Sequence, residues 1–587
     1  MISKYYKYLL AFCVGCGFTA AATSCSDFIY DDSDQVTYAD KSILADDADT
    51  LWAVAGIMNK MQVIADRTIL LGEVRGDLVS LTTDASADLR QLADFTVDGD
   101  NKYNQPRDYY AVINNCNYFL AHADTTLRNS RNERIFIKEY AAVKAFRAWT
   151  YLQLALNYGR VPFITTPILS LDDADATIDN QADLAEICRY FIADLTPLAS
   201  VEMPGYGPIR STDSRLFYYP INVLLGDLYL WSGQYREAAQ SYYRYISSRN
   251  GTNSAYPLST DAVRFMKSDS RWMSTSDSWS PKFSIETGTA NSELITMIPG
   301  DSIPSEGNYS QLRDLFNTNE NNDYRSSIVP SPVIIALSAA QKYCHYTTGG
   351  EYIAAPEGLD GYRTGDLRLQ ATYTSMENGG SQLSINGKRI TNYSVFGKYQ
   401  TRNVHILRRS MVYLRMAEAL NRAGFPRFAF QILKTGLNNS VIQSEVLPYY
   451  PADSAFIASF NFPNNVYILE TTAGLATENT MGIHSRGSGY SAANGSYAFL
   501  EDSTLIGTPP SAILNAQIEY VEDLIVDEGA LECAFEGQRF YDLMRVAMRR
   551  GDNAYLASRV ARRSGVFSPS LQTLLMDASN WRLKIED

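Results

Sequence analysis

Histidine is scarce in this chain. Only His122, His345, His405 and His484 occur among 587 residues. No two of them stand at a spacing that would present a pair to one metal ion, so no metal site is expected. His345 follows Cys344 directly, which sends the two side chains apart. Positive charge is also short: 51 lysines and arginines face 65 acids, a net charge of −14. That balance excludes a general binder of nucleic-acid backbones. There is no glycine-rich phosphate loop and no G-x-S-x-G nucleophile elbow, so two common catalytic signatures are missing. Of seven cysteines, Cys13, Cys16 and Cys25 crowd the start, where Cys13-x-x-Cys16 is no redox motif. Cys116, Cys188, Cys344 and Cys533 are scattered, and read as buried small hydrophobes rather than a disulfide framework. What the chain does have is aromatic mass: 40 tyrosines, 24 phenylalanines and 6 tryptophans, with 45% hydrophobic and 20% charged residues. This is the composition of a folded chain, either several domains or one large fold with insertions.

The first 24 residues read as a secretory signal: Lys4 and Lys7 precede an uncharged run from Tyr8 to Ala22, too short and glycine-broken for a membrane span. Ala21-Ala22-Thr23-Ser24-Cys25 resembles a relaxed bacterial lipobox, with Cys25 as the lipidated residue. Removing residues 1–24 takes two lysines and no acid, so the net charge falls from −14 to −16. Residues 25–40 form an acidic tether, solvated and extended.

Helical periodicity appears at 41–66, 106–123, 133–158 and 181–197. Gly159 and Pro162 stop the third of these. Residues 77–107 read as loop-rich. Between 217 and 248 the pattern sharpens. Leu225-Gly226, Tyr229, Gly233, Tyr235, Ala238 and Tyr242 match the spacing of a tetratricopeptide unit. Gly226 and Ala238 allow two helices to approach, the tyrosines fill the space around them, and Gly233 turns the chain. Ala417, Leu420, Gly424, Pro426 and Ala429 repeat the spacing. Helix returns at 513–530 and about 536–550. The expected fold is therefore mostly α, with discontinuous tetratricopeptide-like helix pairs over about 41–250, 406–440 and 513–587. Loop-rich insertions cover about 251–405 and 441–512, with a few short strands such as 293–298 and 394–396. Loops this long usually carry function.

These pieces, in this order, resemble the SusD/RagB family of Bacteroidetes outer-membrane nutrient-binding lipoproteins. The resemblance rests on Cys25, on Ala141–Trp149 followed by Tyr158-Gly159-Arg160-Val161-Pro162, and on Leu225–Tyr229 and Leu414–Asn421. Its most specific piece is Phe535-Glu536-Gly537-Gln538-Arg539-Phe540-Tyr541-Asp542-Leu543-Met544-Arg545. It implies a SusD-like fold over 41–587 made of four tetratricopeptide-like pairs. It also implies a lipid-anchored, surface-exposed position on the outer membrane. The implied partner is a SusC-like TonB-dependent transporter barrel, over which the lipoprotein acts as a lid. Family members bind oligosaccharides in many cases and peptides in some. The acidic tether resembles the signals that route such lipoproteins to the cell surface.

The expectation is a glycan-binding protein and not an enzyme. A sibling reading has the same architecture capture peptides, and a third makes it a tetratricopeptide interaction scaffold. Glu536 to Arg539 reads as a structural ion cluster, with Arg539 paired to Glu536 or Asp542, and Arg147 and Arg415 are read the same way. Sugar rings offer apolar C–H faces to aromatic platforms while their hydroxyls seek Asp, Asn or Arg. Two polar segments carry that mixture. One holds Asp77, Thr83, Asp84, Arg90, Asn101, Tyr103 and Asn104; the family's usual tryptophan is missing there, which makes Tyr103 the stacking candidate. The other holds Trp272 and Trp279 in a serine-rich loop. Asn308 and Tyr309 form a third candidate. Trp52, Trp149, Trp231 and Trp581 fall on or beside helical patterns and read as core. No cofactor is expected, although acidic loops such as 98–100 offer oxygen ligands for calcium.

Overall fold

Helices pack in chain order because each presents an apolar stripe to its neighbours on either side. The protein is described by a computed structural model covering residues 47–585. It leaves out 171–172, 174–178, 249–257, 259–260, 269–270, 287–290, 292, 302, 304, 306, 347–351, 356–364, 378–379, 464–481 and 490–493. The signal segment 1–24, Cys25 and the tether 25–40 lie outside the described residues. Helix α1 (Asp47–Glu73) packs on α2 (Pro106–His122), α2 on α3 (Ile137–Tyr158), and α3 on α4 (Leu184–Leu195). The row continues through α5 (Ile221–Trp231) and α6 (Tyr235–Ser247). Next comes α7 (Arg409–Arg422), which packs on α6 although residues 248–408 lie between them. Then α8 (Pro426–Lys434) and α9 (Pro510–Cys533) join α7, and α10 (Arg539–Arg550) returns to α1 and α9. Helices α11 (Ala554–Val560) and α12 (Pro569–Leu575) follow.

Local chemistry sets the ends. Asp183 and Glu186 exchange side-chain and backbone hydrogen bonds at 2.9 Å, a capping box that starts α4. Pro106, Pro426 and Pro510 occupy first turns, where a missing N–H costs nothing. Gly159 ends α3 at φ 80°. The close approach expected at Gly226 is real: a Cβ there would sit 2.4 Å from the Tyr242 ring. Asp227 then joins three helices, accepting from Tyr219 Oη (2.9 Å), Tyr242 Oη (2.7 Å) and Arg415 Nη1 (2.9 Å).

The described strands are short and pair two by two, all antiparallel. Those that matter below are β1 (Val79–Leu81) with β3 (Ile328–Pro330), β2 (Leu294–Ile298) with β6 (Val404–Arg408), and the hairpin β4 (Leu383–Ile385) to β5 (Lys388–Ile390). The segment 77–107, expected to be loop-rich, contains β1 and a capped helix, Ala87–Asp94. Ser86 accepts from Leu89 N, and Leu89 and Leu92 are buried.

Buried charge ties the excursions to the scaffold. Glu532 of α9 accepts from Arg368 (2.9 Å), Arg408 (3.2 Å) and Arg486 (3.0 Å). Burial alone would raise the Glu532 carboxyl, but these three guanidinium groups hold it well below the usual carboxylate range. Arg368 also reaches Asp366 (2.8 Å) and Glu528 (2.7 Å), Arg408 and Arg486 share Glu293, and Lys398 donates to Glu536 at 2.5 Å. His484 joins through Glu528 at 2.7 Å. The Glu536–Arg539 run is thus structural, but its partners are not the expected ones. Arg539 pairs with Asp77 (2.6 and 3.0 Å), and Glu536 with Lys398 and Arg408. Arg147 meets Asp194 and Asn117, and Arg415 meets Asp227 and Gln538. The four described cysteines, Cys116, Cys188, Cys344 and Cys533, are all buried. Trp149 and Trp581 are core, Trp231 is half-buried beside Arg545, and the Trp52 side chain lies outside the described residues.

Candidate functional site

In the run Asn317-Thr318-Asn319-Glu320-Asn321-Asn322, Asn319 and Asn322 spend their amides on the local backbone. Asn322 Nδ2 donates to Asp314 O and Asn317 O (2.7 Å each), and Asn319 Oδ1 accepts from Asn321 N (2.8 Å). Asn322 Oδ1 accepts from Asn319 N (3.1 Å) and Arg325 N (3.0 Å). This cage forces the next two residues, Asp323 and Tyr324, into left-handed backbone at φ 51° and 64°. Two successive non-glycine residues there store strain of about 1 kcal/mol each. Such strain persists where a side chain must be presented in one direction.

The turn 319–325 is the hub of a surface site. Arg325, its side chain 68% exposed, contacts Asp84 at 3.4 Å. β1 and β3 hold the two segments side by side, and Thr82 extends the pairing to the carbonyls of Ser326 (2.7 Å) and Ser327 (3.0 Å). Arg90 bends back to donate to Ala85 O (3.2 Å), Thr82 O (3.2 Å) and Thr83 O (2.9 Å), which stiffens the turn carrying Asp84. From the other side, the hairpin β4–β5 places Lys388 Nζ 4.2 Å from the centre of the half-buried Tyr324 ring. Asn321 reaches Tyr309 Oη (3.2 Å), and the Arg402 guanidinium lies 3.8 Å from the Tyr309 ring centre, held by Asp314 at 2.7 and 3.0 Å. Asn308, half-buried, donates to Asn59 O (3.2 Å) and Gln62 (3.3 Å). Behind them Asp66 accepts from Ser310 Oγ (2.6 Å) and Gln311 N (2.7 Å), and burial pushes its carboxyl upward. The result is two tyrosines, each against its own cation, with carboxylate, guanidinium and amide groups on the same segments. It can stack a ring and hydrogen-bond its substituents.

Of the residues singled out from sequence, Asp84, Arg90, Asn308 and Tyr309 belong to this cluster. Four others do not. Asp77 is buried and committed to Arg539. Asn101 is buried, donates to Asp88 O (3.0 Å) and Gln91 (2.8 Å), and accepts from Tyr103 N (2.9 Å). Tyr103 is 6% exposed; burial first, then Asp66 and Asp88, keep its phenol neutral. Trp279 is 1% exposed, edge-on to Phe283 at 5.1 Å in a small core with Val263, Tyr343 and Leu367. A polar sequence neighbourhood misrepresented both aromatic rings; Trp279 also draws on Tyr343 and Leu367, far along the chain. Trp272 stands in the strand Arg271–Asp277, and its side chain lies outside the described residues. Sequence reasoning missed Tyr324, Arg325, Lys388 and Arg402. The asparagine run before Asp-Tyr was the available signal, since Asn and Asp favour turns and tolerate left-handed backbone.

A cavity of about 50 Å³ opens between α3, α5, α7 and α10, lined by Trp149, Gln153, Trp231, Arg415 and Gln538 among others. That is room for a few waters and not for a sugar ring. Among the described residues no three of His, Cys, Asp and Glu stand together as a metal site. In the acidic loop 98–100, Asp98 takes the Gln91 amide at 2.6 Å. Among the described residues no helix is long and apolar enough to cross a membrane.

No protein-family model matches the chain, and no curated protein matches it. Solved structures do. A SusD superfamily protein from Bacteroides vulgatus aligns at TM-score 0.53 and 14% identity, covering 90% of this chain and 92% of that one. A SusD-like carbohydrate-binding protein from Bacteroides fragilis aligns at 0.51 and 13%, covering 88% and 89%. A laminarin-binding SusD-like protein aligns at 0.50 and 17%, covering 89% and 95%. The fold is that of the SusD superfamily, mostly helical with short strands. At these identities the likeness is one of fold.

Proposed function

We propose that this chain is a member of the SusD/RagB family: a lipid-anchored, non-catalytic glycan-binding protein of the outer-membrane surface. It captures oligo- or polysaccharide and delivers it to a SusC-like TonB-dependent barrel. Cys25 carries the lipid, and the tether 25–40 spaces the fold from the membrane. The observation that carries the glycan reading is the turn 319–325. Its caged, left-handed backbone presents Tyr324 beside Lys388 and carries, at the next residue, Arg325 paired with Asp84. Rigid aromatic rings flanked by charge-assisted hydrogen-bonding groups suit pyranose recognition. Two of the similar structures, a carbohydrate-binding and a laminarin-binding SusD-like protein, support that reading.

The test is affinity electrophoresis of residues 26–587 in gels containing starch, laminarin, pectin, chondroitin sulfate or yeast mannan. At least one is expected to retard the parent, and Tyr324→Ala is expected to weaken that binding about tenfold. Trp272→Ala, run beside it, reports whether that residue adds a second ring. Failure of every glycan to retard the parent would overturn the reading in favour of peptide capture or a protein scaffold.

A further inference from the structure

The excursion 435–509 contains a construction that resembles the first site and takes no part in it. Residues Ile442–Val446 form a π-helical turn, directly followed by the 3-10 turn Leu447–Tyr449. π-Turns are rare and recur at functional sites. This one ends by placing Tyr449 outward, with 51% of the residue exposed. The Arg427 guanidinium sits 3.7 Å from the Tyr449 ring centre and closes one face. The exposed area therefore belongs to the opposite face and the ring edge.

Arg427 is itself held in place. It pairs with Glu501, one contact being 3.2 Å, and lies 4.4 Å over the Phe499 ring. Tyr450, next in sequence, is turned inward: its Oη accepts from Arg427 N at 3.1 Å and its ring meets Phe425 edge-on at 5.1 Å. Glu501 keeps 49% of its side chain exposed, so carboxylate lone pairs remain open to solvent next to Arg427. Asp453, at the end of the next 3-10 turn and paired with Arg236 at 2.7 Å, supplies a further exposed carboxylate.

We propose that Tyr449 is a second saccharide-stacking platform, with Glu501 as its hydroxyl acceptor. The inference rests on the reading that the chain binds glycan, and adds a site to it. The patch offers one open aromatic face backed by the Arg427–Glu501 ion pair. That matches a single sugar ring and falls far short of the roughly 800 Å² per partner that a stable protein interface buries. A platform of this kind contributes avidity. It lets one polymer chain be held at two points, the second contact being made at high effective concentration.

The same five glycans test it, each as polymer in gels and as hexasaccharide in calorimetry. For a glycan that retards the parent, Tyr449→Ala is expected to weaken polymer retardation about threefold to tenfold. The number of hexasaccharides bound is expected to fall from two to one. Tyr449→Phe keeps the ring and is expected to retain both, which separates loss of the platform from loss of fold. Parent-like retardation and stoichiometry in Tyr449→Ala, with binding weakened about tenfold in Tyr324→Ala, would overturn the second site and leave the function standing. No retardation of the parent by any of the five would overturn both.

Discussion

The corner where α9 meets α10 and the turn 319–325 are both dense in polar side chains, and they use them in opposite ways. At the corner, Glu532, Glu536, Glu528, Arg368, Arg408 and Arg486 are buried and satisfied by one another. At the turn, asparagine amides satisfy the backbone, and the remaining side chains reach solvent: Tyr324 beside Lys388, Arg325 beside Asp84. The first arrangement fixes where the excursions sit. The second spends a little backbone strain to present a surface. Polar density in a sequence therefore says nothing by itself about binding; what matters is whether the partners lie inside the protein.

Breaking the corner should give the largest effect. Glu532→Ala leaves three buried guanidinium groups short of a carboxylate, and removal of one partner from a buried network costs about 3–5 kcal/mol. Urea denaturation is expected to show a loss of that order, or the variant fails to accumulate folded. A loss under 1 kcal/mol would mean the network does not anchor the excursions.

A second buried carboxylate sharpens the contrast, because it has no cation paired with it. Glu73 Oε1 accepts from Gly537 N at 2.9 Å while Oε2 has no hydrogen-bond partner among the described residues, and burial raises its carboxyl to about 7 despite the backbone hydrogen bonding. A folded-state value above the unfolded one means folding favours the protonated form. The associated stability is complete below the ordinary carboxylate range and is lost as pH rises through about 7. Glu73→Gln, neutral throughout, is expected to match the parent at pH 5 and to exceed it by about 2 kcal/mol at pH 8. Equal stability of the two proteins at both pH values would contradict this.

The scaffold was legible in the sequence because its determinants are local. The spacing of Leu225, Gly226, Tyr229, Gly233 and Ala238 describes a helix pair that α5 and α6 form, and Gly226 meets Tyr242 as that spacing requires. The site was only half legible. Asp84, Arg90, Asn308 and Tyr309 come together because β1 pairs with a strand about 250 residues away, which no local pattern announces. Arg539 was read against its helical neighbours Glu536 and Asp542, yet its partner Asp77 lies 462 positions earlier. Trp279 looked like a platform among serines, and Phe283, Tyr343 and Leu367 enclose it. Where long-range ion pairs or small secondary cores decide the fold, residue type and spacing underdetermine the outcome.

The smallest energetic effect carries the most information. Tyr324→Gly removes the ring and relieves its left-handed backbone at φ 64°. Glycine populates that region freely, so relief is worth about 1 kcal/mol against a comparable loss of chain entropy in the unfolded state. Thermal melting and glycan retardation, measured on the same preparation, test the central claim that this turn is shaped for binding. The account predicts a melting temperature equal to or slightly above the parent's, with retardation weakened about tenfold. A variant that melts well below the parent, or one that is retarded as strongly, would contradict it.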